Sequence, residues 1–169
     1  MTTTTAPERR RVLQTLAGMV LTLAGAQPVR AAPAAAGEAV RWPEVTLLDG
    51  RPWAAPRAEA AVVVFWSLTC PFCRRHNEHV ERLFQAARGK PLRVLGVVRE
   101  RDSAAVRRTM QSVGWTFPVT ADTAAMAAAL TERRMTPVTV TVDRAGRLRQ
   151  VIAGEMFEED VLELLQLAA

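Results

Sequence analysis

The sequence predicts an α/β domain with a mixed sheet flanked by helices, and three stretches carry that expectation. Ala61-Val62-Val63-Val64-Phe65-Trp66 is an apolar run too continuous to alternate, the pattern of a central strand buried on both faces. After Cys73, the residues His76, Val80, Leu83 and Ala87 recur at helical spacing, flanked by His79 and Phe84, while Arg74, Arg75, Glu78, Glu81, Arg82 and Arg88 fill the opposite face. Toward the C-terminus, residues 138–142, the turn Asp143-Arg144-Ala145-Gly146 and residues 147–152 read as an antiparallel hairpin whose strong alternation suits a sheet edge.

The remaining elements fall in order around these. Gly89 stops the first helix. A second strand spans 92–98 and a helix spans about 103–113, followed by Trp115-Thr116-Phe117-Pro118-Val119 and a short helix over 123–130. Residues 157–167, with acids at the start and Val161, Leu164 and Leu165 on one side, form an amphipathic helix that covers the sheet. Gly154 leads into it.

The first residues read differently. Glu8-Arg9-Arg10-Arg11, the modest apolar segment 12–26, Pro28 and Val29-Arg30-Ala31 form a secretory signal pattern over 1–31, with the twin-arginine form in Arg9-Arg10-Arg11-Val12-Leu13. The apolar part is shorter than the roughly 20 residues a membrane span needs and is broken by Gln14, Thr15, Gly18 and Thr22, so cleavage is expected rather than a stable anchor. Residues 32–42 are expected to be a flexible start to the exported chain, and 43–169 one domain. That assignment implies a periplasmic location, where dithiols tend to be oxidised unless a dedicated electron supply keeps them reduced.

Charge excludes one class of partner. The net +5 is concentrated at the start, where Arg9, Arg10, Arg11 and Arg30 face only Glu8, leaving 18 basic against 16 acidic residues beyond position 31. No basic stripe with interleaved aromatics is present, so nucleic acid is not an expected partner.

The chemistry concentrates in Trp66-Ser67-Leu68-Thr69-Cys70-Pro71-Phe72-Cys73, which holds both cysteines of the chain where the strand ends and the helix begins. A thiol at the first turn of a helix meets free backbone N–H groups and the positive end of the macrodipole, which favour thiolate. A structural disulfide over so short a loop removes little entropy from the unfolded chain and makes a poor staple. The pair therefore reads as a redox dithiol, with Cys70 attacking and the more enclosed Cys73 resolving the mixed disulfide. Pro71 removes a backbone donor and Phe72 adds an apolar ring between the sulfurs, so both should influence the reduction potential.

With Phe65-Trp66, the Cys-x-x-Cys on a strand-to-helix turn and the later Thr136-Pro137, the chain resembles the thioredoxin fold. More narrowly, it is similar to the periplasmic TlpA/ResA-like thiol-disulfide oxidoreductases from about Val45 to the C-terminus, with the segment around 115–130 resembling their central insertion. Residues 45–48 followed by Asp49-Gly50 fit the N-terminal hairpin that this resemblance implies. The resemblance implies a cis bond before Pro137, with Thr136 offering backbone groups to an extended substrate. Pro71 and Phe72 would also face that substrate. It further implies reduction of protein disulfides, apocytochrome c among them, electrons from a membrane thiol donor, and no cofactor or metal beyond the Cys70–Cys73 pair. The direction of exchange stays open, since the same dithiol oxidises or isomerises according to its potential.

The chain departs from the family at three positions. His76 stands where many relatives carry a glutamate, and Val64 where thioredoxins carry a buried aspartate. His76, one turn from Cys73, is therefore a candidate to move a proton to or from the resolving thiol, against the plainer reading of a half-buried histidine. Thr69 replaces a tryptophan at the rim, whereas Trp66 keeps the aromatic beneath the active-site turn. Trp42, Trp53 and Trp115 read as packing. Two further readings remain: a Cu(I) chaperone using Cys70, Cys73 and His76, and a peroxidase. Copper-delivery relatives space their cysteines more widely, and a peroxidase needs a threonine-rich turn before a lone cysteine; neither pattern is present.

Overall fold

The computed structural model describes residues 1–3 and 32–169; the expected signal peptide, beyond its first three residues, lies outside the described residues. Among the described residues, strands β1 (Ala60–Trp66), β2 (Leu92–Val98), β3 (Val119–Thr120), β4 (Val138–Val142) and β5 (Leu148–Ala153) form one sheet in the order β3-β2-β1-β4-β5. The helices are α1 (Pro71–Ala86), α2 (Ser103–Val113), α3 (Thr123–Leu130) and α4 (Glu158–Glu163), the last running into a 3₁₀ turn over Leu164–Ala168. The single C-terminal helix expected over 157–167 is thus divided, its final turn tightening as helix ends often do.

β1 is central because both of its edges are paired: parallel to β2, with Val63 opposite Leu95, and antiparallel to β4, with Val63 opposite Val140. All seven of its residues are buried. Ala60, Val62, Val64 and Trp66 share a core with Val80 and Leu83 of α1 and Val161 of α4, while Ala61, Val63 and Phe65 pack with Val45, Trp53 and the α3 residues Met126 and Leu130. Each fully buried Val or Leu contributes roughly 1.5–3 kcal/mol relative to exposure. These two layers hold the end of β1, and so the dithiol, in place.

Gly96 of β2 is required by close approach. A Cβ there would sit 2.8 Å from Phe117, 2.9 Å from Val119 and 3.0 Å from the Trp66 indole nitrogen. The ring of Trp66, stacked edge-on against Trp115 at 5.6 Å, occupies the space that a side chain would take.

The N-terminal hairpin is present as isolated bridges rather than full strands: Thr46 pairs with Pro52, and Leu47 donates its N–H to the Arg51 carbonyl at 2.8 Å across Gly50. Leu47 also bridges to Thr120, which attaches the hairpin to β3. The stretch 32–42, expected to be flexible, makes backbone hydrogen bonds to the rest of the domain. Ala34 donates to the carbonyl of Ala129 at 3.1 Å, Gly37 to Leu148 at 2.7 Å and Val40 to Gly146 at 2.9 Å. Ala129 lies in α3, while the other two partners belong to the edge strand β5 and the turn before it, whose free backbone groups accept another extended segment.

Candidate active site

The dithiol is built by the start of α1. Cys70 is the N-cap, its φ and ψ of −92° and 111° still extended, and Pro71 occupies the first helical turn, where a missing N–H costs nothing. The Cys73 N–H donates to Cys70 Sγ at 3.2 Å, so the sulfur plays the part a serine or aspartate oxygen plays at other N-caps. Cys70 is half-buried, Cys73 is 1% exposed, and both thiols are free.

The second wall of the site is the loop before β4. The Thr136–Pro137 bond is cis, as the resemblance implies, and the Cys70 thiol donates to the Thr136 carbonyl at 3.5 Å. The Pro137 carbonyl accepts from Gly154 at 2.9 Å, which joins the loop to the end of β5. Thr136 also lies against the second sulfur. Burial, and then the hydrogen bond with Cys70, push the Cys73 thiol up to about 12, while the Ser67 backbone N–H and the Thr136 side chain pull the other way. At neutral pH the resolving sulfur therefore holds its proton.

Around the sulfurs the surface is apolar and open. Phe72 is 54% exposed and Met135 53%, an unusual outlay for large apolar side chains unless something covers them. The Arg75 guanidinium lies 5.7 Å from the Phe72 ring centre and grips Glu155 with two bonds of 2.7 Å. Beneath, Trp66 is buried at the foot of the turn.

His76 is fully buried, with both ring nitrogens engaged. The Met156 N–H donates to Nδ1 at 3.2 Å, which leaves the proton on Nε2, 2.9 Å from the Thr139 hydroxyl. Burial first, then the neighbouring His79, push its pKa down to about 4 from an ordinary 6.5. The ring is neutral at physiological pH and joins α1 to β4 and to the segment before α4. His79 completes the join, its Nδ1–H donating to the Met156 carbonyl at 3.2 Å.

Three residues that sequence reasoning missed stand near this site. Asn77 is fully buried with neither amide atom partnered by protein. Arg99 and Glu100, just past β2, bond to the two loops that frame the dithiol. Helical spacing from Cys73 pointed at Asn77; no local signal marked the other two, whose partners lie more than 30 positions away. Among the described residues, no cluster of three or more His, Cys, Asp or Glu is arranged to hold a metal.

A central strand that ends in a Cys-x-x-Cys turn, a helix capped by the first sulfur and a cis-proline loop facing it define a protein of the thioredoxin fold. The Redoxin family model matches residues 53–166, and the chain belongs to that family. Among curated proteins it is similar to the thiol-disulfide oxidoreductase ResA of Halalkalibacterium halodurans, 26% identical over 61% of this chain and 58% of that protein. ResA of Geobacillus kaustophilus is 24% identical over 62% of this chain and 60% of the relative, so the chain's match spans about three fifths of either protein's length. Among solved structures, a thiol:disulfide interchange protein of Chlorobium tepidum superimposes with a TM-score of 0.68 at 21% identity, over 81% of this chain and 99% of that one. StoA of Bacillus subtilis gives 0.62 at 17% identity, over 72% and 93%. At these identities the structures establish the fold.

Proposed function

We propose that this chain is a thiol-disulfide oxidoreductase that uses Cys70 and Cys73 to reduce disulfides of other proteins in the cell envelope. The observation that carries the reading is the placement of Cys70 Sγ between the Cys73 N–H at 3.2 Å and the Thr136 carbonyl at 3.5 Å, beside the cis-proline. One contact caps the sulfur; the other marks where a substrate strand would run. Similarity to ResA supports the same activity.

In the forward direction the Cys70 thiolate attacks one sulfur of a substrate disulfide, forms a mixed disulfide and releases the other substrate sulfur as a thiolate that takes up a proton. Cys73 then loses its proton and attacks Cys70 Sγ. The Cys70–Cys73 disulfide forms, the second substrate thiol leaves, and two electrons have passed to the substrate. The buried Cys73 proton is the obstacle to the second step, and the Ser67 N–H and Thr136 side chain lower it. Restoring the dithiol requires a reduced thiol donor; a membrane thiol protein fits an exported enzyme.

The surroundings of His76 favour anchorage over the proton transfer its spacing suggested. With Nδ1 occupied by Met156, Nε2 by Thr139, and its pKa pushed down to about 4, it positions α1 against β4 rather than carrying a proton. Phe72, Met135, Pro71 and Thr136 form the surface on which a partner chain docks. Export through the signal at 1–31, a periplasmic location and apocytochrome c among the substrates complete the reading; among the described residues no helix is long and apolar enough to cross a membrane.

Insulin reduction tests the activity, with Cys70→Ser as control, and equilibration against glutathione tests its direction. A reductase gives a potential at the reducing end of the range known for such dithiols, near that of thioredoxin. A value near the oxidising end rejects the reductase and leaves an oxidase or isomerase.

A further inference from the structure

β2 ends at Val98, and the next two residues reach in opposite directions. The Arg99 N–H donates to the Trp66 carbonyl at 3.0 Å, carrying the β1–β2 pairing to the last residue before the Cys-bearing turn. From there the Arg99 guanidinium turns to the cis-proline loop. It donates to the carbonyls of Arg133, Arg134 and Met135, with Nη2 3.1 Å from the first and 3.3 Å from the third. These are the three carbonyls immediately before Thr136.

Glu100 turns the other way. Its Oε1 accepts from the Ser67 hydroxyl at 2.7 Å and from the Leu68 N–H at 2.8 Å, and the Ser67 hydroxyl lies 3.0 Å from that of Thr69. The carboxylate thus holds the three residues that lead into Cys70. Both residues are half-buried, and Arg99 Nε and Glu100 Oε2 are covered atoms without a protein partner. Adjacent opposite charges that bond to separate stretches of backbone, instead of to each other, act as a spacer between those stretches.

We propose that Arg99 and Glu100 are positioning residues for disulfide exchange: Arg99 fixes the loop on which the substrate strand docks, Glu100 fixes the turn that presents Cys70, and their adjacency sets the gap between the two. The proposal rests on the exchange activity proposed above. The 3.5 Å from Cys70 Sγ to the Thr136 carbonyl is the gap in question. Attack on a disulfide needs the three sulfurs in line, and a displacement of about 1 Å can cost up to 100-fold in rate. The planar guanidinium suits three convergent carbonyls; a lysine ammonium, a point charge on a flexible stem, does not reproduce that array.

The test separates docking from sulfur reactivity. Steady-state reduction of insulin is measured for wild type, Arg99→Gln, Arg99→Lys, Glu100→Ala and Glu100→Gln, beside the rate of Cys70 alkylation by iodoacetamide and the equilibrium with glutathione. Both Arg99 variants raise KM for insulin about tenfold while alkylation and the glutathione equilibrium change less than about twofold, since only the docking wall has moved. Glu100→Ala changes the alkylation rate and the glutathione equilibrium at least about threefold with KM within about twofold, and Glu100→Gln, which keeps an acceptor for Leu68, restores at least half of that change. Arg99→Lys keeps the charge and is the decisive variant should Arg99→Gln not fold. A wild-type KM in Arg99→Lys, parallel changes in KM and alkylation, or unchanged sulfur chemistry in Glu100→Ala overturns the proposal. Wild-type protein inert toward insulin instead sinks the exchange activity itself.

Discussion

The first turn of α1 and the turn after it treat their polar groups in contrasting ways. At the first turn, Cys70 Sγ has two sulfur contacts of 3.2 and 3.5 Å, and Cys73 is buried with a thiol that holds its proton to about pH 12. One turn on, His76 and His79 hold both the N–H and the carbonyl of Met156, and the remaining His76 nitrogen meets Thr139. Groups that must change partners are held by long contacts to soft atoms. His76, which keeps the helix against the sheet, is buried with both ring nitrogens bonded. Chemistry and anchorage are thereby divided within the ten residues from Cys70 to His79.

The sharpest break of that contrast is Cys70→Ser, which abolishes insulin reduction while leaving the thermal midpoint within a few degrees of wild type. Next is Cys73→Ser: loss of the resolving sulfur leaves partners covalently attached to Cys70, visible as adducts on non-reducing gels that dithiothreitol releases. In the anchoring turn, His76→Ala removes two hydrogen bonds and a buried ring, and costs about 2–4 kcal/mol in urea unfolding at neutral pH.

The same residue makes a pH signature. Because the folded pKa of about 4 lies below the ordinary 6.5, the unfolded chain binds the proton first as acidity rises. The contribution of His76 is complete above pH 6.5 and is lost as pH falls toward 4, by about 3 kcal/mol in all. Unfolding curves of wild type converge toward those of His76→Ala over that window. The pH profile of the Cys73-dependent step is the same in both proteins; a profile that changes in the variant restores a proton-carrying role. Smaller still is Thr139→Val, which strands the His76 Nε2–H and costs about 1–3 kcal/mol. Arg75→Ala, at the exposed ion pair with Glu155, changes stability by less than about 1 kcal/mol.

Local pattern revealed those parts of the molecule whose causes are local. The run at 61–66 announced a strand buried on both faces, and α2 carried its own helical period, whereas the Ala-rich α3 has almost none and was placed by the resemblance. The dithiol was visible because its chemistry needs two cysteines at fixed spacing on a strand-to-helix turn. His76 was visible as an inward residue near Cys73, but its hydrogen-bond partners Thr139 and Met156, 63 and 80 positions further on, were not. Arg99 and Glu100 read as ordinary charges after a strand, because nothing in their neighbours shows that residues 133–135 and 67–68 fold back onto them. The hydrogen bonds of residues 32–42 were hidden for the same reason, since their partners, Ala129, Gly146 and Leu148, lie about 95 to 110 positions away.

The bracketed position of β1 has a consequence for durability. Its amides are paired on both sides and screened on both faces, so they are expected to exchange with deuterium only when the whole domain opens. The turn that bears the sulfurs springs directly from this slowest-opening segment. Many cycles of making and breaking covalent bonds can therefore pass at its tip while the interior stays shut, and wear in this protein would begin at its rim rather than at its reactive centre.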